Sequence, residues 1–181
     1  HEIKEGAEAR ASGQVIKNGK QMENLNRGLV AVKTGNGVFL SWRLLGTDSP
    51  STAFNLYRDN SLITGQAITG ATNFTDTAGT NNSQYTIKAV IDGREQAGES
   101  AGVWAQQRKT IALQRPAGGT SPDGVAYTYA PGDASVGDLD GDGDYEIVLK
   151  WDPSNAKDNA HSGNTGNVFI DAYTLEGQQL W

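Results

Sequence analysis

Asp138, Asp140, Asp142 and Asp144 stand at every second position of Asp-Leu-Asp-Gly-Asp-Gly-Asp-Tyr-Glu, and Glu146 closes the run. A tightly wrapped loop can turn carboxylates at this spacing onto one point, and hard oxygen donors gathered in that way bind calcium. Gly141 and Gly143 supply the backbone freedom that wrapping a cation demands. In the comparable EF-hand loop the seventh position gives a backbone carbonyl and the ninth an acidic or water-bridged ligand. Those places fall here on Asp144 and Glu146. An EF-hand exits into a helix, but this loop runs into Glu146-Ile-Val-Leu-Lys-Trp151, a β-branched, apolar run that reads as a strand.

Charge supports an ion over the competing reading of a solvated acidic turn. The chain carries 21 acids against 15 Lys plus Arg, a net charge of -6. Between Asp133 and Asp158 stand eight acids and two lysines, Lys150 and Lys157, so this window holds the whole imbalance. Carboxylates packed so closely repel one another unless a cation neutralises them. The same balance argues against nucleic acid, which calls for a basic patch. With no cysteine, thiol-based metal or redox chemistry and a disulfide framework are both excluded. No apolar run approaches the roughly 18 residues of a membrane helix, and His1 opens no signal-peptide core. Asn73-Phe-Thr and Asn81-Asn-Ser match the short glycosylation sequon.

The elements that must hold the loop are strands. Twenty-three glycines and few stretches of helical period point to an all-β chain in three parts. Residues 1–20 form a polar lead-in. Residues 21–107 carry seven short runs split by turns, Gly28–Lys33, Val38–Leu44, Ala53–Arg58, Leu62-Ile63, Asn73–Asp76, Gln84–Ile91 and Ser100–Trp104, which suggests a β-sandwich. Residues 108–181 open with the breakers Pro116-Ala-Gly-Gly119 and Ser121-Pro-Asp-Gly124. They continue as strand, calcium loop 138–146, strand, long polar loop, strand Asn167–Tyr173 and the turn Glu176-Gly177. That succession is what one blade of a β-propeller looks like. The single loop leaves no internal repeat visible, and a propeller needs further blades. The chain is therefore expected to be the front piece of a longer protein, truncated at Trp181.

Phe39-Leu-Ser-Trp-Arg43, Phe54-Asn-Leu-Tyr-Arg-Asp59 and Tyr85-Thr-Ile-Lys-Ala-Val90 resemble strands of a fibronectin type III module. Trp42, Tyr57 and Tyr85 could stack on sugars, but core packing, or a tyrosine-corner role for Tyr85, is the stronger expectation. A more specific resemblance lies in Ala134–Trp151 with Asp152-Pro-Ser-Asn-Ala-Lys-Asp-Asn159, in Ile170-Asp-Ala-Tyr173 and in Leu175–Trp181. Met22–Val32 and Ser41–Asp48 add to it. These runs are similar to the family 11 rhamnogalacturonan lyases.

The resemblance implies a fibronectin-like domain followed by an eight-bladed, calcium-binding propeller. It also implies Asp133, Asp138, Asp140, Asp142, Asp144 and Glu146 as the ligands of one calcium in the first blade. The implied reaction is β-elimination on rhamnogalacturonan I, a pectic polysaccharide, by a secreted bacterial enzyme whose signal peptide is absent from this chain. A base removes the proton at C5 of galacturonate, and the C4 oxygen bearing rhamnose departs. Lys150 and His161 lie near the loop, but Lys150 fits charge neutralisation and His161 a solvated loop. The catalytic base is therefore expected on blades beyond Trp181, with the calcium site structural. Two other classes remain open: a calcium-stiffened adhesion or interaction propeller, and a non-catalytic carbohydrate-binding module.

Overall fold

The computed structural model describes residues 15–17 and 20–181, and among them the regular structure is entirely β. The lead-in expected over residues 1–20 lies outside the described residues apart from Val15–Lys17 and Lys20. There β1 (Val15–Lys17) and β2 (Lys20–Met22) pair antiparallel. By their contacts the residues fall into two units. One runs to Lys109 and includes Asp140–Asp144; the other comprises Thr110–Leu139 and Tyr145–Trp181.

The first unit contains β3 (Val30–Thr34), β4 (Gly37–Ser41), β5 (Ala53–Arg58) and β6 (Ser61–Leu62). It continues with β7 (Asn73–Asp76), β8 (Gln84–Ile91) and β9 (Arg94–Trp104). The hydrogen-bonded order is β6-β5-β8-β9-β3-β4-β7. The seven strands read from the alternation are present, but one ladder connects them all. Most of β9 pairs antiparallel with β8, and its end pairs parallel with β3 through Ala31↔Val103 and Val32↔Trp104. The sandwich is thus a single curled sheet.

Alternate residues of its strands share one core. Ala31, Val38 and Leu40 from β3 and β4 join Phe54, Leu56, Tyr85, Ile87 and Ala89 from β5 and β8, with Trp42 beside them. Each large aliphatic or Phe side chain buried there contributes roughly 1.5–3 kcal/mol. Trp42 meets Phe54 edge-on with ring centroids 5.4 Å apart, the packing role expected of it. Tyr85 is also a core residue, but its hydroxyl donates to the Asp76 carboxylate at 2.7 Å and not to a tyrosine-corner backbone acceptor. Tyr57 is half-buried, with its hydroxyl donating to Glu95 and the Lys88 ammonium 4.7 Å from its ring centroid.

In the second unit, β10 (Gly119–Thr120) and β11 (Ala126–Tyr127) form a small hairpin. β12 (Tyr129–Gly137), β13 (Glu146–Pro153) and β14 (Phe169–Tyr173) form an antiparallel sheet in that order. A strand ahead of the calcium loop was expected, and β12 fills that place although Pro131-Gly-Asp133 disfavours a strand. The ladder with β13 overrides that preference, and a register shift between Pro131 and Ala134 absorbs the irregular residues. Tyr129, Leu149, Trp151 and Tyr173 form the core of this unit. Burying the Asp171 carboxylate beside them would be costly were it not hydrogen-bonded. It accepts from Trp151 Nε1 at 2.6 Å and from the Tyr173 hydroxyl at 2.8 Å.

Candidate metal centre

The chain turns from β12 to β13 through residues 138–145. Gly137 pairs with Glu146 at the mouth of this loop, so the ladder fixes both of its ends. Gly141 and Gly143 have φ of +81° and +96°, the left-handed region that glycine enters without strain. The wrap is also held from within. Asp142 N–H donates to Asp140 Oδ1 at 3.1 Å, and Asp144 N–H donates to Asp142 Oδ1 at 2.8 Å. Across the mouth, Leu139 N–H donates to Glu146 Oε2 at 2.8 Å.

This wrapping brings Asp138, Asp140 and Glu146 together. One carboxylate oxygen from each lies within 4.8 Å of the other two. Asp138 is partly buried, Asp140 exposed and Glu146 buried at 3% exposure, so the group grades from solvent into the protein. The donor set fits calcium. Three carboxylates offer up to six hard oxygens, and calcium takes six to eight at about 2.3–2.6 Å without strict geometry.

Asp142 and Asp144 sit on the exposed tip and are not part of the group of three. Asp144 Oδ1 instead accepts from Asn26 Nδ2. Asp133 is exposed on β12, in the irregular stretch of the ladder.

Sequence reasoning missed Asn26, which lies 118 positions from its partner. No spacing within the acidic run could have revealed it.

The two basic residues near the loop have other occupations. Lys150 Nζ pairs with Asp152 Oδ1 at 2.8 Å, and its hydrogen bond and charge interaction with that carboxylate raise its pKa. A lysine held in its protonated form is a poor general base near neutral pH. His161 is exposed, with its backbone N–H donating to the Asp158 carbonyl at 2.9 Å.

Comparison with known sequences covers both units. The family described as "Rhamnogalacturonan I lyases beta-sheet domain" matches residues 20–104. The family described as "Rhamnogalacturonan lyase family 11, C-terminal domain" matches residues 108–181. Over 163 residues, 90% of this chain, it is 56% identical to the rhamnogalacturonan endolyase YesW and to the rhamnogalacturonan exolyase YesX, both of Bacillus subtilis (strain 168). Those matches cover 26% and 27% of the two proteins, so the chain spans roughly a quarter of their length. Among solved structures, that of the exotype rhamnogalacturonan lyase YesX superposes with a TM-score of 0.85 over 88% of this chain and 27% of the other. The Bacillus licheniformis rhamnogalacturonan lyase PL11 gives a TM-score of 0.84 at 61% identity, over 88% of this chain and 28% of that one. With both of its units matched in sequence and fold, the chain belongs to the family 11 rhamnogalacturonan lyases and corresponds to their amino-terminal portion.

Proposed function

We propose that this chain is the front part of a secreted lyase that cleaves rhamnogalacturonan I by calcium-dependent β-elimination, and that its own acidic loop is a structural calcium site. One observation carries the reading: the match to family 11 lyases runs through both units at 56% identity. The secreted location is proposed with it, on the ground that an intact polysaccharide is met outside the cell.

In this reading Asp138, Asp140 and Glu146 supply carboxylates to the ion, and the tip residues Asp142 and Asp144 close the loop around it. A bound calcium would supply the positive charge that lets such carboxylates share one small volume. The protein's part is to hold the donors in place: the β12–β13 ladder fixes Glu146, and the backbone bonds onto Asp140 and Asp142 fix the wrap. With Lys150 committed to Asp152, the base that takes the C5 proton is assigned to the remaining three-quarters of the enzyme. Val136, Phe169, Ile170 and Trp181 are exposed apolar residues of the second unit, as expected of a blade that further blades cover.

The test is ultraviolet detection of unsaturated uronate released from rhamnogalacturonan I by the full-length protein, in calcium and then in chelator. Product that appears with calcium and disappears with chelator is expected. No unsaturated product under either condition would refute the proposal.

A further inference from the structure

The Asn26 contact deepens the calcium reading, on which it rests. Within the first unit, Asn26 touches the loop tip twice. Its backbone N–H donates to the Gly143 carbonyl at 3.0 Å, and its side-chain Nδ2 donates to Asp144 Oδ1. The orientation of the amide is dictated by its other face. Asn26 Oδ1 accepts from Gly28 N–H at 2.8 Å and from the Arg43 guanidinium at 3.2 Å. Both of these partners are donors, so the oxygen must face them and the NH₂ must face Asp144. Arg43 also donates to the Asn26 carbonyl at 3.3 Å. The next residue, Arg27, is pinned by its ion pair with Asp48. Asn26 therefore presents a fixed donor.

The fit on the other side is close. A Cβ on Gly143 would lie 2.9 Å from Asn26 N and 3.3 Å from the Asn24 carbonyl oxygen, at a φ that side chains rarely adopt. With Asp144 N–H on Asp142, the backbone and side chain at positions 143–144 are held at three points.

We infer that Asn26 is a positioning residue for the calcium loop: it holds the Asp144 carboxylate away from the ion and sets the backbone at Gly143–Asp144. The Asp144 side chain is then a strut and not a ligand, and the seventh position serves the ion through its backbone. Groups that orient a metal loop without touching the metal typically change its affinity about 10–100-fold.

The experiment is peptide-resolved amide hydrogen exchange over residues 138–146 of the full-length protein, followed as calcium is titrated, so that the readout is confined to this site. Asn26→Asp keeps the acceptor for Gly28 and Arg43 and replaces only the donor facing Asp144. Its added negative charge would by itself tighten cation binding, so weaker binding is diagnostic. The calcium midpoint is expected to rise about tenfold in Asn26→Asp, and as much in Asn26→Ala and Asp144→Ala. The double variant Asn26→Ala/Asp144→Ala should bind no more weakly than either single change, because both remove one shared link.

An unchanged or tighter midpoint in both Asn26 variants would overturn the inference. Multiplying effects in the double variant, or loss of calcium protection in Asp144→Ala alone, would overturn it too, since Asp144 would then be a ligand. Exchange in the wild type that ignores calcium would instead remove the calcium reading itself, and this inference with it.

Discussion

Asp76 shows how much one carboxylate can hold together. It is nearly buried, its Oδ2 pairs with Arg58 at 2.5 Å and accepts from Tyr85 at 2.7 Å, and its Oδ1 accepts from Ala78 N–H. Burial works to raise its pKa, but the hydrogen bonds from Tyr85 and Arg58 outweigh it and hold the group below its usual 3.8. Burial and the bond to Asp76 push the Tyr85 phenol up to about 12. Tyr85→Phe is expected to destabilise the fold by about 1.5–3 kcal/mol, the range for a hydrogen bond to a charged group. Urea unfolding at neutral pH measures that loss. The pH dependence has two signs. The depressed Asp76 pKa gives stability that is complete above 3.8 and is lost as the pH falls through the lower native value, so the gap between wild type and variant should narrow there. The raised Tyr85 pKa gives stability that is complete below 10 and is lost as the pH rises toward 12, a loss the phenylalanine variant should lack. The grouping of Asp138, Asp140 and Glu146 was legible at this scale because their spacing is local. Asn26 was not, because nothing in a linear run of acids marks a distant donor.

Elements were legible where alternation and turn residues agreed. β5 and β8 run as expected, Ala53–Arg58 and Gln84–Ile91, because apolar residues fall at every second position and face the core. The strand ahead of the loop was expected but its bounds were not marked, because Pro131 and Gly132 are poor strand formers and pairing with β13 decides its extent. β9 was read as Ser100–Trp104 and extends from Arg94; its first five residues are all exposed and include no large apolar side chain, so no hydrophobic period marks them. The β3–β4 turn gives the test of an element. Gly37 has φ +121°, and a Cβ there would meet the Asp76 carbonyl oxygen at 2.2 Å, where the end of β7 pairs with the start of β4. Gly35, two residues earlier in the same turn, has nothing within 4 Å. Gly37→Ala should therefore cost at least about 1–3 kcal/mol, from the close contact together with a φ that side chains rarely adopt. Gly35→Ala should stay within about 0.5 kcal/mol of wild type. Thermal unfolding of the pair checks both values, and equal effects would mean that neither the approach of β7 nor the backbone conformation at Gly37 constrains the turn.

At the scale of the whole molecule, this segment is common to relatives of opposite cleavage mode. The chain is 56% identical to a rhamnogalacturonan endolyase and 56% identical to a rhamnogalacturonan exolyase. Proteins of opposite mode thus share this segment to the same degree, and it makes up 26% and 27% of their lengths. Whether a polymer is cut internally or from its end depends on whether the cleft is open or closed at one side. Surface loops decide that, and loops tolerate insertion far better than the strands beneath them. A curled sheet and a loop pinned at both ends by its ladder are instead suited to rigid support. Residues 20–181 of this protein, exchanged into an endo-acting and into an exo-acting relative, should leave each recipient with its own mode. The endo-acting chimera should still cause a rapid fall in the viscosity of rhamnogalacturonan I, and the exo-acting chimera should still release short products while viscosity persists. Conversion of either profile to the opposite one would place the determinant of mode within the transplanted segment.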